Sequence, residues 1–566
     1  MTTASSLRIS QKAKLVPIDK VAHKLGISGK YLIPHGSSKC KISLEIMRKL
    51  KSKKRGKYIL VTGITPTPYG EGKTVAAIGL SMALARAGKK AACCLTQPSL
   101  GPMFSVKGCG TGGGLAQVVP MEDINFYLTG DTHVVGAAHN LCAAYLDNSL
   151  YRGNPLGIVQ DTISWNRVID VNDRFLRKIS IGMGTKRDGI NRRSGFDSTA
   201  SSELMDILAL SEDIAEVRDR IGRINVAFTD KKKPVTADDI KAAGAMTALV
   251  RDALMPNLVQ TLEGTPCFMH VGSFASTAMG SGSIIADKMA LGLCDYVVTE
   301  CGFGADLGAE KFFDIKCRRL GFGPDAAVLV LTIRTLKMHS GDFEITVGKA
   351  VESLITRENI SAVERGSGNL HKQIENIKCF GVPVVVCINR LSSDTEKEIE
   401  AVKRCAMSYG ADACCVIDAR QNGGPGAAEL ASCVADVVKR VKPSFRYLYP
   451  VDLSIKDKVT RIAKTIFGAK EAVFPEHADE RIKLLKKLKL DALPICMMKT
   501  PYSLSHEPKR KGRPRNFKLP VTDLYLASGA GYICVPCGDV SMMEGLPAVP
   551  RGTHVDIDKN MNIVGL

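Results

Sequence analysis

The residues that decide the fold run from 58 to 96 and read YILVTGITPTPYGEGKTVAAIGLSMALARAGKKAACCLT. The apolar, β-branched run 58–64 predicts a buried strand. A loop rich in proline and glycine follows at 65–72, and the stretch 73–88 then has helical spacing and ends on a glycine suited to a helix C-terminus. Since another apolar run occupies 90–96, the segment predicts a strand–loop–helix–strand unit with parallel strands.

The same alternation of strand and helix patterns continues along most of the chain. Further strand-like runs occur at 224–229, 267–271, 296–300, 327–333, 384–389 and 413–417, with helical segments between several of them. This order predicts an α/β fold in which a mostly parallel sheet is covered by helices on both faces.

The loop TPYGEGKT at 67–74 has the composition of a phosphate-binding loop. Its glycines allow backbone N–H groups to approach phosphate oxygens, its lysine would neutralise charge, and its last hydroxyl would hold Mg²⁺. The strict pattern GxxxxGK[ST] is not met, because a threonine replaces the first glycine. A glycine-rich turn with an incidental lysine is the alternative. The flanking strand and helix favour a P-loop NTPase-like site for ATP, formed by Thr67, Pro68, Tyr69, Gly70, Glu71, Gly72, Lys73 and Thr74.

A change of pattern near residue 443 suggests how the chain is divided. Helical patterns at 455–467 and 478–490 are followed by shorter strand-like runs. We therefore expect a large nucleotide-binding domain and two smaller C-terminal α/β domains, with a cleft between them. The expected boundaries are 1–365, 366–450 and 451–566.

Charge and composition narrow the class of partner. Lys and Arg exceed Asp and Glu by 77 − 57 = 20, which favours anionic ligands such as nucleotides. The basic runs do not alternate with aromatic residues, so nucleic acid is not the expected partner. No stretch approaches the roughly 18 apolar residues that cross a bilayer. The 18 cysteines follow no apolar signal segment, which favours reduced thiols in the cytoplasm.

Several long segments together resemble one enzyme family. They include TPTPYGEGKT at 65–74, PSLGP at 98–102, VTECGFGADLGAEKFFDIKCR at 298–318 and KTPYSLS at 499–505. From about residue 13 to residue 566 the chain resembles formate–tetrahydrofolate ligase. The resemblance implies ATP-dependent formation of 10-formyltetrahydrofolate through formyl phosphate. It also implies formate, ATP and tetrahydrofolate polyglutamates as substrates, Mg²⁺ as cofactor with a monovalent cation as a further candidate, and a homotetramer.

The resemblance also implies roles for particular residues. Lys73 would contact the transferred phosphoryl group, and Glu300 would position Mg²⁺ or its water, with an orienting hydrogen bond as the alternative. Lys107 is a second candidate for phosphate neutralisation, with a solvated surface lysine as the alternative. Asp306 is a candidate site residue or a helix cap. The expected region for formyl phosphate and folate contains Thr96, Gln97, Gly302, Gly304, Asp306, Leu391 and Arg420.

Three of these positions depart from the pattern that the resemblance implies. Thr96 stands where the family has an arginine, Leu391 where it has an aromatic residue, and Arg420 near the place of a tryptophan. A threonine cannot supply the paired N–H donors of an arginine. An active ATP-dependent ligase is one reading, and these departures motivate a second, a catalytically degenerate relative that binds nucleotide or folate or has a structural role. A third reading, an RNA-associated protein, rests on the net charge of +20.

Overall fold

A computed structural model of the chain describes residues 5–107, 110–343 and 353–566. Its central feature is a 12-stranded sheet. The strands are β1 Leu32–Pro34, β2 Cys40–Ile42, β3 Lys57–Gly63, β4 Ala91–Leu95, β5 Gly112–Gly113, β6 Ala116–Val119, β7 Asn257–Thr261, β8 Pro266–Met269, β9 Tyr296–Gly304, β10 Ala326–Leu331, β11 Val384–Asn389 and β12 Ala413–Ile417.

Most of this sheet is parallel. In the order β8-β4-β9-β3-β10-β11-β12 every neighbouring pair runs in the same direction. Antiparallel pairing joins β7 to β8, β2 and β6, and β1 to β2. The sequence prediction of an α/β fold with a mostly parallel sheet is therefore confirmed.

The central strands are buried on both faces. Tyr58 and Leu60 of β3 belong to one apolar core, whereas Ile59 and Val61 between them belong to the other. Successive side chains of a strand point to opposite faces, so an uninterrupted apolar run is what a doubly covered parallel strand requires. This explains why the run 58–64 could be recognised from sequence.

Helices form the two covering layers. Those of eight residues or more are Lys73–Arg86, Asp131–Tyr151, Glu203–Leu210, Ile214–Gly222, Ala243–Val250, Ile284–Leu293, Ile360–Lys378, Glu396–Ser408, Ala428–Arg440, Ile455–Ile462 and Glu476–Lys487. Shorter ones are Ser6–Gln11, Ile18–Lys24, Ile46–Leu50, Leu100–Pro102, Met121–Phe126, Cys317–Leu320, Ile333–His339 and Ala419–Asn422. Among the described residues, no helix is both long and apolar enough to cross a membrane.

Smaller sheets surround the main one. The pattern at 224–229 forms a strand, Asn225–Phe228, but it pairs with Pro234–Thr236 and lies outside the main sheet. The C-terminal part contains a three-stranded sheet of Ile495–Met498, Tyr532–Pro536 and Tyr525–Ala527. Other strand pairs are Glu471–Val473 with Lys518–Pro520, Arg167–Ile169 with Phe196–Ser198, Ile179–Ile181 with Arg192–Ser194, and Asp556–Ile557 with Ile563–Val564.

Two features of the structure bear on the expected domain boundaries. The one between residues 365 and 366 falls inside the helix Ile360–Lys378. Strands β11 and β12, which belong to the expected second domain, extend the same sheet as β3 and β10. The division into three domains therefore stays a prediction.

Gly366 tests the packing of two helices that support the sheet. A Cβ atom there would lie 1.8 Å from the carbonyl oxygen of Leu336. We expect Gly366→Ala to lower the free energy of unfolding by about 2 kcal/mol, because the neighbouring backbone must move. Gly368→Ala on the same helix is the control, since its Cβ would meet only Arg513 at 3.6 Å. It should be neutral or stabilising by up to about 1 kcal/mol in thermal unfolding; equal destabilisation by both variants would contradict this packing.

Candidate active site at the carboxyl edge of the sheet

The candidate residues follow the carboxyl ends of neighbouring parallel strands. In an open α/β sheet, ligands bind outside this edge. The loop 64–72 follows β3, Thr96 follows β4, Leu391 follows β11 and Arg420 follows β12, while Glu300 lies within β9. Strand pairing therefore collects positions that are up to about 350 residues apart in sequence along one edge.

The loop 64–72 is held in shape by Glu71. The Glu71 side chain is buried, and its Oε1 accepts hydrogen bonds from the Thr67 backbone N–H at 2.7 Å and the Thr67 hydroxyl at 3.2 Å. Gly72 has a φ of +80°, and a Cβ there would lie 2.1 Å from Nδ2 of Asn389. The same Nδ2 donates to the Glu71 carbonyl at 3.0 Å. Only glycine fits this left-handed, closely approached position.

Lys73 and Thr74 begin the helix that follows the loop. The Lys73 Nζ lies 3.9 Å from Oε2 of Glu71, and the Thr74 hydroxyl donates to Oε2 of Glu300 at 2.9 Å. Burial raises the pKa of Glu71, while the nearby Lys73 opposes this rise. Since the helix N-terminus adds unpaired N–H groups and a partial positive charge, this corner is suited to an anion.

The same corner presents a hydroxyl and a carboxylate, which are oxygen groups of the kind that divalent ions prefer. Mg²⁺ prefers oxygen ligands and usually keeps several waters and substrate phosphates. The Thr74 hydroxyl and the Glu300 carboxylate fit that preference. The described ranges contain no group of three or more His, Cys, Asp or Glu side chains that could hold a metal.

Every polar atom of Thr65, at the start of the loop, has a hydrogen-bond partner. Its N–H donates to Oδ1 of Asn369 at 3.1 Å, and its hydroxyl accepts from Asn369 at 2.9 Å and from Gln373 at 3.0 Å. Its carbonyl accepts from Nε2 of His339 at 2.8 Å. Because a buried polar group without a partner is costly, these hydrogen bonds of Thr65 hold the start of the loop in place.

Asp306 connects this set to the C-terminal part of the chain. Its Oδ1 accepts from Gln373 at 2.7 Å, and its Oδ2 pairs with Nζ of Lys499 at 2.8 Å. Both charged side chains are at most 1% exposed. Lys499 also donates to the carbonyls of Thr500 and Ser503. Asp306 thus lies behind the loop, in contact with protein groups on both carboxylate oxygens.

His339 makes a second link between the loop and the C-terminal part. Its Nδ1 accepts from the backbone N–H of Gly512 at 3.2 Å, while Nε2 faces the Thr65 carbonyl. An N–H group can only donate and a carbonyl can only accept, so the ring is neutral with its hydrogen on Nε2. Burial lowers the pKa of His339 to about 4, consistent with this arrangement.

Thr96 and Gln97 lie on the other side of β9. The Gln97 N–H donates to the carbonyl of Val271 at 2.7 Å. Val271 has a φ of +46°, which is unusual for a β-branched residue and marks local strain. Gln97 borders a small recess with Tyr127 and Asp170, and within the described residues its buried Oε1 has no hydrogen-bond partner. Sequence reasoning gave no sign of the strain at Val271.

The glycines after Glu300 allow two loops to approach closely. A Cβ on Gly302 would lie 2.6 Å from Cβ of Ala275, and a Cβ on Gly304 would lie 2.6 Å from Oδ1 of Asp306. The loop around Ala275 is held by Lys311, whose Nζ donates to the Ala275 carbonyl at 2.5 Å. These glycines therefore allow close packing at the strand end.

Leu391 and Arg420 are placed differently around the edge. Both follow neighbouring strands, and Leu391 is half-buried in a turn whose N–H donates to Asp394 at 2.8 Å. Arg420 is exposed and packs on a glycine turn, since a Cβ on Gly113 would lie 2.8 Å from its Nη1. The Arg420 carbonyl accepts from Leu115 at 2.9 Å.

One expected site residue has no described side chain, and three residues that support the loop were not predicted. The Lys107 side chain lies outside the described residues, so its role stays a prediction. Sequence reasoning missed Asn389, Asn369 and Lys499, which hold the loop from behind. Lys499 lies in the segment KTPYSLS, whose family resemblance was the one available signal.

The buried pair of Lys499 and Asp306 is open to a direct test. Lys499→Met leaves a buried carboxylate without its counter-ion, and we expect a loss of about 3–5 kcal/mol in the free energy of unfolding. Adding Asp306→Asn should recover part of the loss, measured by calorimetric or denaturant unfolding. Lys518→Met breaks the exposed pair with Glu471 and should change little. A Lys499→Met protein as stable as wild type would contradict the buried pair.

The neutral state of His339 predicts a pH dependence. Its pKa falls to about 4 on folding, from an ordinary value of 6.5. Its contribution to stability is therefore present above pH 6.5 and is lost as the pH falls toward 4, at about 1.4 kcal/mol per pH unit. We expect the difference in melting temperature between wild type and His339→Gln to shrink from pH 7 to pH 5. A difference that stays constant over this range for His339→Gln would contradict the assignment.

Comparison with known proteins places the whole chain in one family. The family model described as formate–tetrahydrofolate ligase matches residues 4–566. Proteins of that name from Desulforamulus reducens and Chloroflexus aggregans are each 48% identical to the chain, and one from Roseiflexus is 47% identical. Each alignment covers 99% of this chain and 99% or 100% of the relative. Because the family model and these relatives span nearly all of the sequence, the chain belongs to the formate–tetrahydrofolate ligase family.

Proposed function

We propose that the protein is an ATP-dependent formate–tetrahydrofolate ligase that makes 10-formyltetrahydrofolate through formyl phosphate. The observation that supports this most is the corner formed by Lys73, Thr74 and Glu300, where a cation, a hydroxyl and a carboxylate meet at a helix N-terminus. Membership of the family supports the substrates, since its named relatives are ligases of formate and tetrahydrofolate.

The loop 64–72 and the helix start would act as the ATP site. The unpaired N–H groups of the first helical turn would bind phosphate oxygens, and Lys73 would leave Glu71 to neutralise the transferred phosphoryl group. Thr74 and Glu300 would hold Mg²⁺, which supplies further neutralisation of phosphate charge when bound. Pro68 and Tyr69, in the middle of the loop, would border the nucleotide.

The chemistry requires positioning more than acid–base catalysis. A formate oxygen attacks the γ-phosphorus of ATP, and ADP leaves, giving formyl phosphate. N10 of tetrahydrofolate then attacks the formyl carbon, phosphate leaves, and the amine loses a proton. The hydrogen-bonded start of the loop at Thr65 and the glycine turn at Gly72 would keep the phosphoryl group in line with formate. This positioning would supply most of the rate enhancement.

We place the formyl phosphate and folate region on either side of the loop. Thr96, Gln97 and the strand end at Gly302 and Gly304 would border the formyl group, and Lys107 would add charge. The half-buried Leu391 would pack on a flat ring, and the Arg420 guanidinium would offer a stacking plane. Asp306 would support the start of the loop and would not contact substrate, because both its carboxylate oxygens contact protein donors.

Assembly and location are further parts of the proposal. The family resemblance implies a homotetramer, and light scattering of the purified protein would test this. A reducing compartment such as the cytoplasm fits the chemistry of the thiols, since every cysteine in the described part of the chain is free. Tetrahydrofolate polyglutamates and a monovalent cation are expected as ligands on the same ground of resemblance.

The decisive measurement is formation of 10-formyltetrahydrofolate from Mg-ATP, formate and tetrahydrofolate. We expect product from the wild type and a loss of roughly 100- to 1000-fold in kcat for Lys73→Ala, because charge stabilisation of the phosphoryl group is removed. Chelation of Mg²⁺ should abolish the reaction in both proteins.

One control variant and the wild-type result distinguish an active ligase from a catalytically degenerate relative. Lys439→Ala, at the exposed end of the helix Ala428–Arg440, removes a lysine without touching the site and should keep full activity. A folded wild type that binds ATP yet forms no product would overturn the ligase proposal and support the catalytically degenerate reading motivated by Thr96.

A further inference from the structure

Arg334 lies beside the loop 64–72, at a position to which no role has been given above. It sits in the helix Ile333–His339, which follows β10, the strand paired with β3. The N–H of Ile64 donates to the carbonyl of Val330 at 3.1 Å, so the two chain segments leave the sheet side by side. The Arg334 guanidinium carbon lies 4.8 Å from the centre of the Tyr69 ring.

The charge of Arg334 has no protein counter-ion within the described residues. No carboxylate oxygen among them lies within 4.0 Å of its guanidinium. Other largely buried arginines differ: Arg192 pairs with Asp147 at 2.6 Å, and Arg513 pairs with Glu375 at 2.7 Å. Arg334 is half-buried, and burial lowers its pKa. A partly desolvated guanidinium that lacks an ion pair is available to an anionic ligand, to which it can present five N–H donors.

Two carboxylates that raise the pKa of Arg334, those of Glu71 and Asp394, already accept hydrogen bonds from backbone N–H groups. Glu71 and Asp394 both interact with Arg334 electrostatically at longer range. Glu71 accepts from Thr67, and Asp394 accepts from the backbone N–H of Leu391 at 2.8 Å. The guanidinium therefore lies over Tyr69 of the loop that would bind ATP, within electrostatic range of Asp394 in the turn that would border the folate ring.

We propose that Arg334 is an anion-binding residue of this active site. Its guanidinium receives two oxygen atoms of a bound oxyanion, in the paired geometry that arginine forms with phosphate or carboxylate. The phosphate source is the transferred phosphoryl group beside Lys73, and the carboxylate source is the glutamate tail of the folate. The proposal rests on the proposed function, because it names a further ligand contact within that same site.

The test uses two substitutions at Arg334 and one matched control. Arg334→Gln removes the charge and keeps much of the length, whereas Arg334→Lys keeps the charge and loses the paired donors. Arg223→Gln is the control, since Arg223 is exposed, pairs with Asp219 and lies on a different helix end. Circular dichroism and melting temperature show whether each variant is folded.

Equilibrium titrations with Mg-ADP and, separately, with tetrahydrofolate triglutamate measure binding, and steady-state assays measure kcat and KM. We expect Arg334→Gln to weaken binding of one ligand by roughly 10- to 100-fold, with partial recovery in Arg334→Lys and no change in Arg223→Gln. Weakened Mg-ADP binding or a lower kcat at unchanged folate affinity assigns the phosphate source. Weakened folate binding alone assigns the carboxylate source.

Two results would overturn the inference in distinguishable ways. A wild type that binds both ligands, with Arg334→Gln equal to it in both affinities and in kcat, rejects the role of Arg334 and leaves the proposed function intact. A wild type that binds neither ligand rejects the proposed function and this inference with it.

Discussion

Strand β3 is hydrogen-bonded to β9 on one side and to β10 on the other, and the site depends on this parallel pairing. It places Gly304 of β9 opposite Gly63 of β3, so that Glu300 and the start of the loop 64–72 meet at one edge. Because parallel strands end together, the loop, the carboxylate of Glu300 and the turn after β11 share a small volume. An apolar core on each face of the sheet stabilises this pairing.

Polar groups buried behind the loop give it a single shape. Thr65 exchanges hydrogen bonds with Asn369 and accepts one from His339, and Asp306 joins the same set to Lys499. Breaking these hydrogen bonds would leave several buried polar groups unpaired, which is energetically costly. Alternative conformations of the loop are therefore disfavoured. The C-terminal part of the chain thereby contributes to the geometry of a loop more than 400 residues earlier.

The positive charges of Lys73 and Arg334, beside the loop 64–72, are arranged differently from that of Lys499. Lys73 has only a distant contact with Glu71, and Arg334 lies over Tyr69 with no carboxylate of the described residues within ion-pair distance. Cations behind the loop, such as Lys499, are fully paired. The proposed binding of phosphate would use such charge, because a cation that is positioned in advance and not already neutralised costs no rearrangement when the ligand binds.

The sequence by itself determined the strand β3, the helix Lys73–Arg86 and the mostly parallel sheet, because these depend on local periodicity and turn residues. Family resemblance added the candidate positions along the edge. Only the tertiary structure decided that Asn225–Phe228 lies outside the main sheet, that Asp306 pairs with Lys499, and that Arg334 lies over Tyr69. These contacts join residues 193 and about 265 positions apart or depend on sheet order, and no local pattern encodes a partner at such distances.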